Sequence, residues 1–168
     1  MCSRAILLNK GEIVQAGPAH EVVNHYLHAG HIQPVVEWLD PTQAPGNDVA
    51  RLRALRVRSE AGQVVDVIDI RKPMRVEIEY DILKPGQMVV AQFGFNTEED
   101  VIAFIVNDRD PVWYRRPRPV GRYISTAWIP GNFLSEGTMV VGGGIFSEDP
   151  WHEHCDVPGA VGFRVVDP

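Results

Sequence analysis

The sequence is short of several features that would each point to a class of protein. It has two cysteines, Cys2 and Cys155, which lie too far apart in sequence to suggest a disulfide scaffold. No apolar run approaches the roughly 20 residues of a membrane-spanning helix, and the amino terminus shows no signal-peptide pattern. The net charge of −6 leaves no basic surface of the kind that holds nucleic acid. We therefore expect a cytoplasmic chain without a nucleic-acid partner.

The motifs that bind and hydrolyse ATP are also missing. There is no G-x-x-x-x-G-K-[ST] loop to hold phosphates, and no hydrophobic strand ends in paired acids for magnesium. His152, His154 and Cys155 are close in sequence, but no second cluster of ligands matches them, which does not favour a metal site. We predict that this chain is not an enzyme, has no catalytic residues and carries no metal or cofactor.

The first feature that is present is a short hairpin followed by a helix, predicted over residues 1–29. Apolar residues 5–8 and the run 12–16 flank an Asn-Lys-Gly turn at 9–11, which can supply the positive φ of a tight hairpin. Proline at position 18 suits a first helical turn, and apolar residues recur at helical spacing as far as residue 27.

The chain changes character twice more. Residues 30–49 contain scattered Pro and Gly with little periodicity, which predicts a linker, although Trp38 in its middle is expected to dock on apolar surface. From residue 50 to 168, short runs with period two alternate with turn residues, and Met74 to Ile82 is the clearest such run. The expected strands span 51–58, 64–70, 74–82, 88–96, 101–107, 122–129, 138–146 and 160–166, with 51–58 pairing with 64–70 and a long loop over 147–159. This pattern predicts an all-β fold, an antiparallel β-sandwich of immunoglobulin-like or jelly-roll type.

Two parts of the sequence resemble one known kind of protein. Residues 2–27 are similar to the C-terminal tail of the nucleotide-binding domain of ABC transporters, with Arg4, Gly11, Gly17 and Tyr26 at matching positions. The distal part resembles the C-terminal domain of Wzt-like ATPase subunits of polysaccharide exporters, in residues 49–57, 73–80 and 121–137 and in the closing V-G-F-R-V-V-D.

This resemblance implies a function that composition and periodicity do not show. It implies noncatalytic recognition of an exported, O-antigen-type polysaccharide on the cytoplasmic side of the inner membrane, coupling substrate to export. It also implies a homodimer, an ATPase parent that supplies ATP hydrolysis, and a membrane-embedded transporter subunit as partner. The chain would then be peripheral to the inner membrane through the transporter complex.

Two segments combine the groups that hold sugars, which are aromatic faces for pyranose rings and fixed polar groups for hydroxyls. Residues 107–116 are the denser candidate, and residues 147–155 are the second. In residues 107–116, Trp113 and Tyr114 are equally open to a structural reading, as anchors of the loop on the core, and in residues 147–155 a role outside binding is slightly favoured. The predicted carbohydrate-binding residues are Asp110, Trp113, Tyr114, Arg115, Arg116, Trp151 and His152.

Alternative functions remain open from sequence alone. Strands 88–96 and 101–107 are apolar on both faces, which favours self-association, and the chain could be a purely structural or regulatory dimerisation sandwich that binds no glycan. The charged row Arg75, Glu77, Glu79 and Asp81 is typical of a solvated face. Paired carboxylates also occur in glycosidases, although no motif here indicates hydrolysis.

Overall fold

A computed structural model describes residues 3–9, 11–19, 22 and 33–168 of the chain. The chain divides into two compact units, residues 1–31 and 32–168. In the first, strand β1 (Arg4–Asn9) pairs antiparallel with β2 (Glu12–Pro18), so the predicted hairpin is present. Gly11 in its turn has φ of 85°, a conformation that glycine adopts without steric cost. The helix predicted after the hairpin lies mostly outside the described residues.

The described residues of the second unit, 33–168, form nine strands. They are β3 (Val35–Glu37), β4 (Ala50–Ser59), β5 (Val67–Asp69), β6 (Met74–Ile82), β7 (Val89–Thr97), β8 (Ile102–Asn107), β9 (Gly121–Ile129), β10 (Gly137–Glu148) and β11 (Trp151–Val166). One sheet has the order β5-β11-β10-β7-β8 and the other β3-β4-β6-β9. All pairs are antiparallel except β5 with β11, which run parallel. The predicted all-β sandwich is therefore confirmed.

The core lies between the two sheets and follows the alternation of the strands. In β6, Val76, Ile78 and Tyr80 are fully buried, whereas the charged residues between them project to the other face. Gly143 of β10 permits close approach of the sheets, because a Cβ there would lie 2.7 Å from Leu55 and 2.9 Å from Ile78. The predicted strand over 74–82 is confirmed residue for residue, since one face is buried along its whole length.

The strand predicted over 64–70 is shorter than expected, and the prediction that it pairs chiefly with 51–58 is wrong. Only β5 forms there, and it pairs with Arg164–Val166 of β11, while β4 pairs with β3 and β6. The expected hairpin is limited to a bridge between Arg58 and Val64, flanked by backbone hydrogen bonds from Ser59 to Gln63 and from Val65 to Val57. Short apolar segments carry little information about which strand they join, because pairing is decided by the whole sheet.

The predicted long loop over 147–159 is also wrong. The chain turns at Asp149 and Pro150, and β11 then runs for 16 residues alongside β10. The register shifts twice along this pair, between Val141 and Gly143 and between Ile145 and Phe146. Each shift interrupts the period of two, and this hides the strand from a search for strict alternation.

Residues 33–49, expected to be a linker, contribute to the second unit. Val36 of β3 and Trp38 pack against the core, as was expected of Trp38, whereas Leu39 is exposed. The Asn47 side-chain oxygen accepts hydrogen bonds from the backbone N–H groups of Val49 and Ala50, which shapes the entry into β4.

None of the helical segments in the described part of the chain is long and apolar enough to cross a membrane.

Candidate functional site

The two segments singled out from the sequence meet at one cavity of about 490 Å³ at an end of the sandwich. One wall comes from the segment after β8 and the other from the turn between β10 and β11, while the start of β7 supplies an apolar side. The lining residues are Met88, Val89, Val90, Asp108, Trp113, Tyr114, Arg115, Glu148 and Asp149. Residues far apart in sequence thus share one concave surface of the size that small-molecule sites usually have, ~300–1,000 Å³.

An ion pair joins the two walls. The Arg109 Nη2 lies 2.8 Å from the Glu148 Oε1, and both side chains are substantially exposed. Exposed pairs of this kind contribute little to folding stability, about 0–1 kcal/mol. The pair therefore links the two walls but adds little to the stability of the fold.

The predicted site residues fall into three groups. Trp113, Tyr114 and Arg115 line the cavity. Trp151 and His152 begin β11, directly after the lining residues Glu148 and Asp149. Asp110 and Arg116 are exposed and do not line the cavity.

Asp110 has a clear local role in shaping the wall. Its side-chain Oδ1 accepts from the Val112 N–H at 2.8 Å, and its backbone oxygen accepts from the N–H groups of Trp113 and Tyr114. The Arg116 N–H donates to the Trp113 carbonyl at 2.9 Å. These bonds form a compact turn that presents the two aromatic rings together.

A buried cation anchors this wall, and nothing in the sequence pointed to it. Arg118 is only 3 % exposed; its Nη1 donates to the Tyr80 hydroxyl, and its Nη2 donates to the Asp108 Oδ2 at 2.9 Å. The guanidinium also lies 5.6 Å from the ring centre of Tyr123 and 6.0 Å from that of Trp113. Cation–π contacts of this kind are stronger when the cation is desolvated. The only sequence signal is an arginine between two prolines, which by itself indicates a loop.

Asp108 connects the buried anchor to the cavity. Its Oδ2 accepts from Arg118 and from the Ser125 hydroxyl, and its Oδ1 accepts from the Asp110 N–H at 3.1 Å. Burial alone would raise the pKa of Asp108, but the hydrogen bonds from Ser125 and Arg118 outweigh it and hold the pKa below its ordinary value. Asp108 is therefore a fixed anion at neutral pH.

The aromatic rings around the cavity differ in how much of each ring face is left uncovered by neighbouring side chains. The Trp113 ring meets Tyr123 edge to face at 6.0 Å, and Tyr114 has the guanidiniums of Arg109 and Arg115 at 5.7 and 5.9 Å from its centre. Trp151 is 68 % exposed and stacks on Phe146 at 5.9 Å. Phe146 is its one ring partner in the described part of the chain, so Trp151 offers the most open ring face beside the cavity.

The histidines of the second candidate segment are engaged in structure. His154 is buried, with Nε2 2.8 Å from the Ser147 hydroxyl and Nδ1 3.1 Å from the Asn47 amide nitrogen. Burial, and next the neighbouring His152, lower the pKa of His154. Burial also raises the pKa of the Cys155 thiol to about 11. The described residues contain no group of three or more side chains placed to hold a metal ion.

The charged row on β6 is paired rather than simply solvated. Its carboxylates accept from arginines of the neighbouring strands. The pairs are Arg53 with Asp81 at 2.5 Å, Arg56 with Glu79 at 2.6 Å, Arg58 with Glu77 at 2.6 Å, and Arg122 with Asp81 at 2.8 Å. The carboxylates of this face are thus committed to a cross-strand network.

Comparison with known proteins supports the fold. No family model matches the sequence, and no curated protein matches it either. Among solved structures, a CARDB domain from Pyrococcus furiosus in complex with di-metal ions matches with a TM-score of 0.45, at 12% identity over 73% of this chain and 98% of that chain. The crystal structure of the C-terminal domain of wzt matches with a TM-score of 0.64, at 12% identity over 79% of this chain and 87% of that chain. The second unit therefore has a β-sandwich fold like that of the C-terminal domain of wzt.

Proposed function

We propose that the second unit is a noncatalytic carbohydrate-binding domain that recognises an exported polysaccharide. The observation that carries the proposal is the cavity, where two segments distant in sequence bring aromatic rings, carboxylates and a guanidinium together. A sugar needs this combination, because its ring has an apolar face and its hydroxyls need fixed partners. The shared fold with the C-terminal domain of wzt and the sequence resemblance to polysaccharide exporters support the same function.

The absence of catalysis is part of the proposal and is supported by the carboxylates. A glycosidase needs one carboxylic acid whose pKa is raised so that it can protonate the leaving group. The pKa of Asp108 is lowered instead, and Glu148 is paired with Arg109. These two groups are suited to accept hydrogen bonds from hydroxyls rather than to donate a proton.

The parent protein is also part of the proposal. We place the hairpin of residues 3–9 and 11–19 at the end of an ABC-type nucleotide-binding domain, which would supply ATP hydrolysis beside a transporter in the inner membrane. The sandwich would then present the polysaccharide to that transporter from the cytoplasmic side.

Titration of the chain with oligosaccharides from the host's own O-antigen-type polysaccharide tests the function. We expect NMR signals of the cavity residues and Trp fluorescence to change with saturation, and Trp151→Ala to weaken binding. Trp128→Ala is the matched control, because Trp128 is also exposed but lies near the end of β9, whereas Trp151 closely follows the lining residues Glu148 and Asp149. If neither the NMR signals nor the Trp fluorescence change at sugar concentrations above the millimolar range, the proposal is contradicted. Release of shortened sugar during the titration would favour a glycan-modifying enzyme instead.

The edge strands β8 and β9 favour a homodimer. Dimerisation would either accompany glycan binding or be the sole function of the sandwich. β8 ends the five-stranded sheet and exposes Ile102 and Ile105, and β9 ends the other sheet and exposes Ile124 and Trp128. Unpaired edges with apolar side chains are prone to pair with another chain. We expect sedimentation to show a dimer that Ile105→Lys dissociates. A dimer in the absence of any glycan binding would favour a purely structural or regulatory sandwich.

A further inference from the structure

We infer that Arg115 and Asp149, one from each wall of the cavity, bind two hydroxyl groups of one sugar residue, with Arg115 as the donor and Asp149 as the acceptor. The inference rests on the proposed function and deepens it, because it assigns the residues that recognise the ligand. It follows from which charged side chains at the cavity are left without a partner.

Most of the charged side chains at the cavity are paired within the protein. Arg118 donates to Asp108 at 2.9 Å, and Arg109 lies 2.8 Å from Glu148. Asp108 and Glu148 can still accept from a hydroxyl, but each carboxylate already shares its charge with a guanidinium. These four side chains therefore form two neutralised pairs.

Two opposite charges at the cavity remain free. Arg115 lines the first wall and Asp149 the second, both are exposed, and neither forms an ion pair with any residue that the structure describes. They do not pair with each other either, although opposite charges attract. The two walls thus hold a donor and an acceptor apart, and a ligand between them can contact both.

The backbone of Arg115 has an unfavourable conformation. Its φ is 54°, in the left-handed region where a residue with a Cβ is crowded. The other described non-glycine residues with positive φ are Asp100 and Asn132, whose residue types adopt this conformation more readily. Glycine or asparagine would form the same turn at lower cost, so the turn itself does not account for an arginine here. Strain of this kind is common at ligand-binding sites.

The ring of Tyr114 positions the free guanidinium. The guanidinium carbon of Arg115 lies 5.9 Å from the ring centre, and that of Arg109 lies 5.7 Å from the same centre. A guanidinium over a ring uses its face, so the N–H groups at its edge can still donate. Arg109 donates to Glu148, whereas the N–H groups of Arg115 are available to a ligand.

Hydroxyl groups suit both free side chains at once. A guanidinium has only donors and a carboxylate only acceptors, whereas a hydroxyl both donates and accepts. Two hydroxyls of one ring can therefore accept from Arg115 and donate to Asp149. Hydrogen bonds to charged groups are about twice as strong as those between neutral groups. Because the two charges cancel, the sugar that satisfies them needs no net charge.

Single substitutions test each of the two residues. Arg115→Asn introduces a residue type that tolerates the local φ, and Asp149→Ala removes the acceptor. With oligosaccharides from the host's own O-antigen-type polysaccharide, we expect each variant to bind at least about fivefold more weakly in an NMR titration, without a loss of stability. Asp149→Asn keeps a carbonyl oxygen as acceptor and should lose less affinity than Asp149→Ala. The matched controls are Arg116→Ala and Asp156→Ala, which remove an exposed arginine of the same turn and an exposed carboxylate of β11.

Exchange of the two charges tests whether they hold the same ligand. Arg115→Asp alone leaves two carboxylates at the free positions, and we expect it to bind most weakly. Its combination with Asp149→Arg restores one donor and one acceptor in exchanged places. Since a hydroxyl can take either role, affinity should recover at least about threefold relative to Arg115→Asp.

The outcomes distinguish the inference from the proposed function. If the wild type binds the oligosaccharides and both single variants bind them as tightly as their controls do, the inference is overturned while glycan binding stands. Absence of any recovery in the exchanged variant overturns the joint action of the two residues on one ligand. Failure of the wild type to bind the host oligosaccharides overturns the proposed function, and the inference with it.

Discussion

The two walls of the cavity are held in place by different means. The 108–118 segment is fixed by Arg118, which is 3 % exposed and lies among Asp108 and the aromatic rings of Tyr80, Trp113 and Tyr123. The 148–151 turn is held by the pairing of β10 with β11 across it, and its side chains contribute the exposed pair of Glu148 with Arg109 and the stacking of Trp151 on Phe146. The first wall is therefore fixed by a buried side-chain network, whereas the side chains of the second wall are largely exposed.

The largest effect should come from removing the buried cation. Arg118→Met leaves Asp108 half-buried and without its ion-pair partner, so we expect the free energy of unfolding to fall by about 3–5 kcal/mol. Urea denaturation followed by far-UV circular dichroism measures it. A loss below about 1 kcal/mol would show that the two walls are held equally loosely.

Substitution of Trp113 should mainly lower stability, whereas substitution of Trp151 should mainly lower glycan affinity. Trp113→Ala should lower the free energy of unfolding by about 1–3 kcal/mol, less than the ~3–5 kcal/mol of a fully buried Trp, because Trp113 is partly exposed. Trp151→Ala should change stability by no more than about 0.5 kcal/mol. Its glycan affinity should fall by about 1–3 kcal/mol, by analogy with the stacking of bases on aromatic rings. Denaturation and binding titrations on the same two variants compare the walls directly, and a stability loss in Trp151→Ala larger than in Trp113→Ala would reverse the assignment.

A smaller effect on stability should come from the titration of His154, which lies in β11 behind the 148–151 turn. The folded-state pKa of His154 is lowered, so the unfolded chain binds the proton more readily. The stability that the neutral form of His154 contributes is fully present above pH ~6.5, the ordinary pKa of histidine in an unfolded chain. This stability is lost as the pH falls from there through the lower pKa of the folded state. The Asn47 oxygen is bonded to backbone N–H groups, so its amide nitrogen faces His154 Nδ1 and opposes protonation there.

The measurement for His154 is chemical denaturation between pH 5 and 8. His154→Gln should be less stable at neutral pH and should lose part of the dependence on pH in this window. His152 and Asp48 also act on His154, so His152→Gln is the control for the neighbouring ring. A wild-type chain that gains stability below pH 6.5 relative to His154→Gln would contradict the expectation.

The smallest effect is expected at the exposed link between the walls. Arg109→Met should lower the free energy of unfolding by about 0–1 kcal/mol, because both partners of the pair are substantially exposed. The difference from the wild type should disappear in 1 M salt, where the screening length is about 3 Å. An effect comparable to that of Arg118→Met would show that the link is structural.

Much of the sandwich was predictable because it is encoded locally. The residues of β6 alternate between core and charge, and this pattern gave its bounds without error. β11 was missed between residues 151 and 159, because its two register shifts break the alternation that a local search requires. The partner of β5 was wrong for a related reason, since a segment of three residues does not specify its neighbour.

The candidate site shows the same division between local and long-range information. The density of aromatic and charged residues identified Trp113, Tyr114 and Arg115, all of which line the cavity. It did not identify Arg118 or the role of Asp108, because a buried ion pair is recognised only when the surrounding strands are in place. Tyr80, Ser125 and Tyr123 come from β6 and β9, and no spacing in the sequence relates them to Arg118.

The sequence by itself determined the all-β class, the strands with strict alternation and the two segments rich in aromatic and charged groups. These follow from side-chain chemistry and from the period of two, which are properties of neighbouring residues. Only the tertiary structure decided that the two segments share one cavity and which ring faces remain open. It also decided that the acceptor positions of Asp108 are nearly filled. Those properties depend on burial and on contacts between residues tens of positions apart, and such contacts exist only once the two sheets have packed.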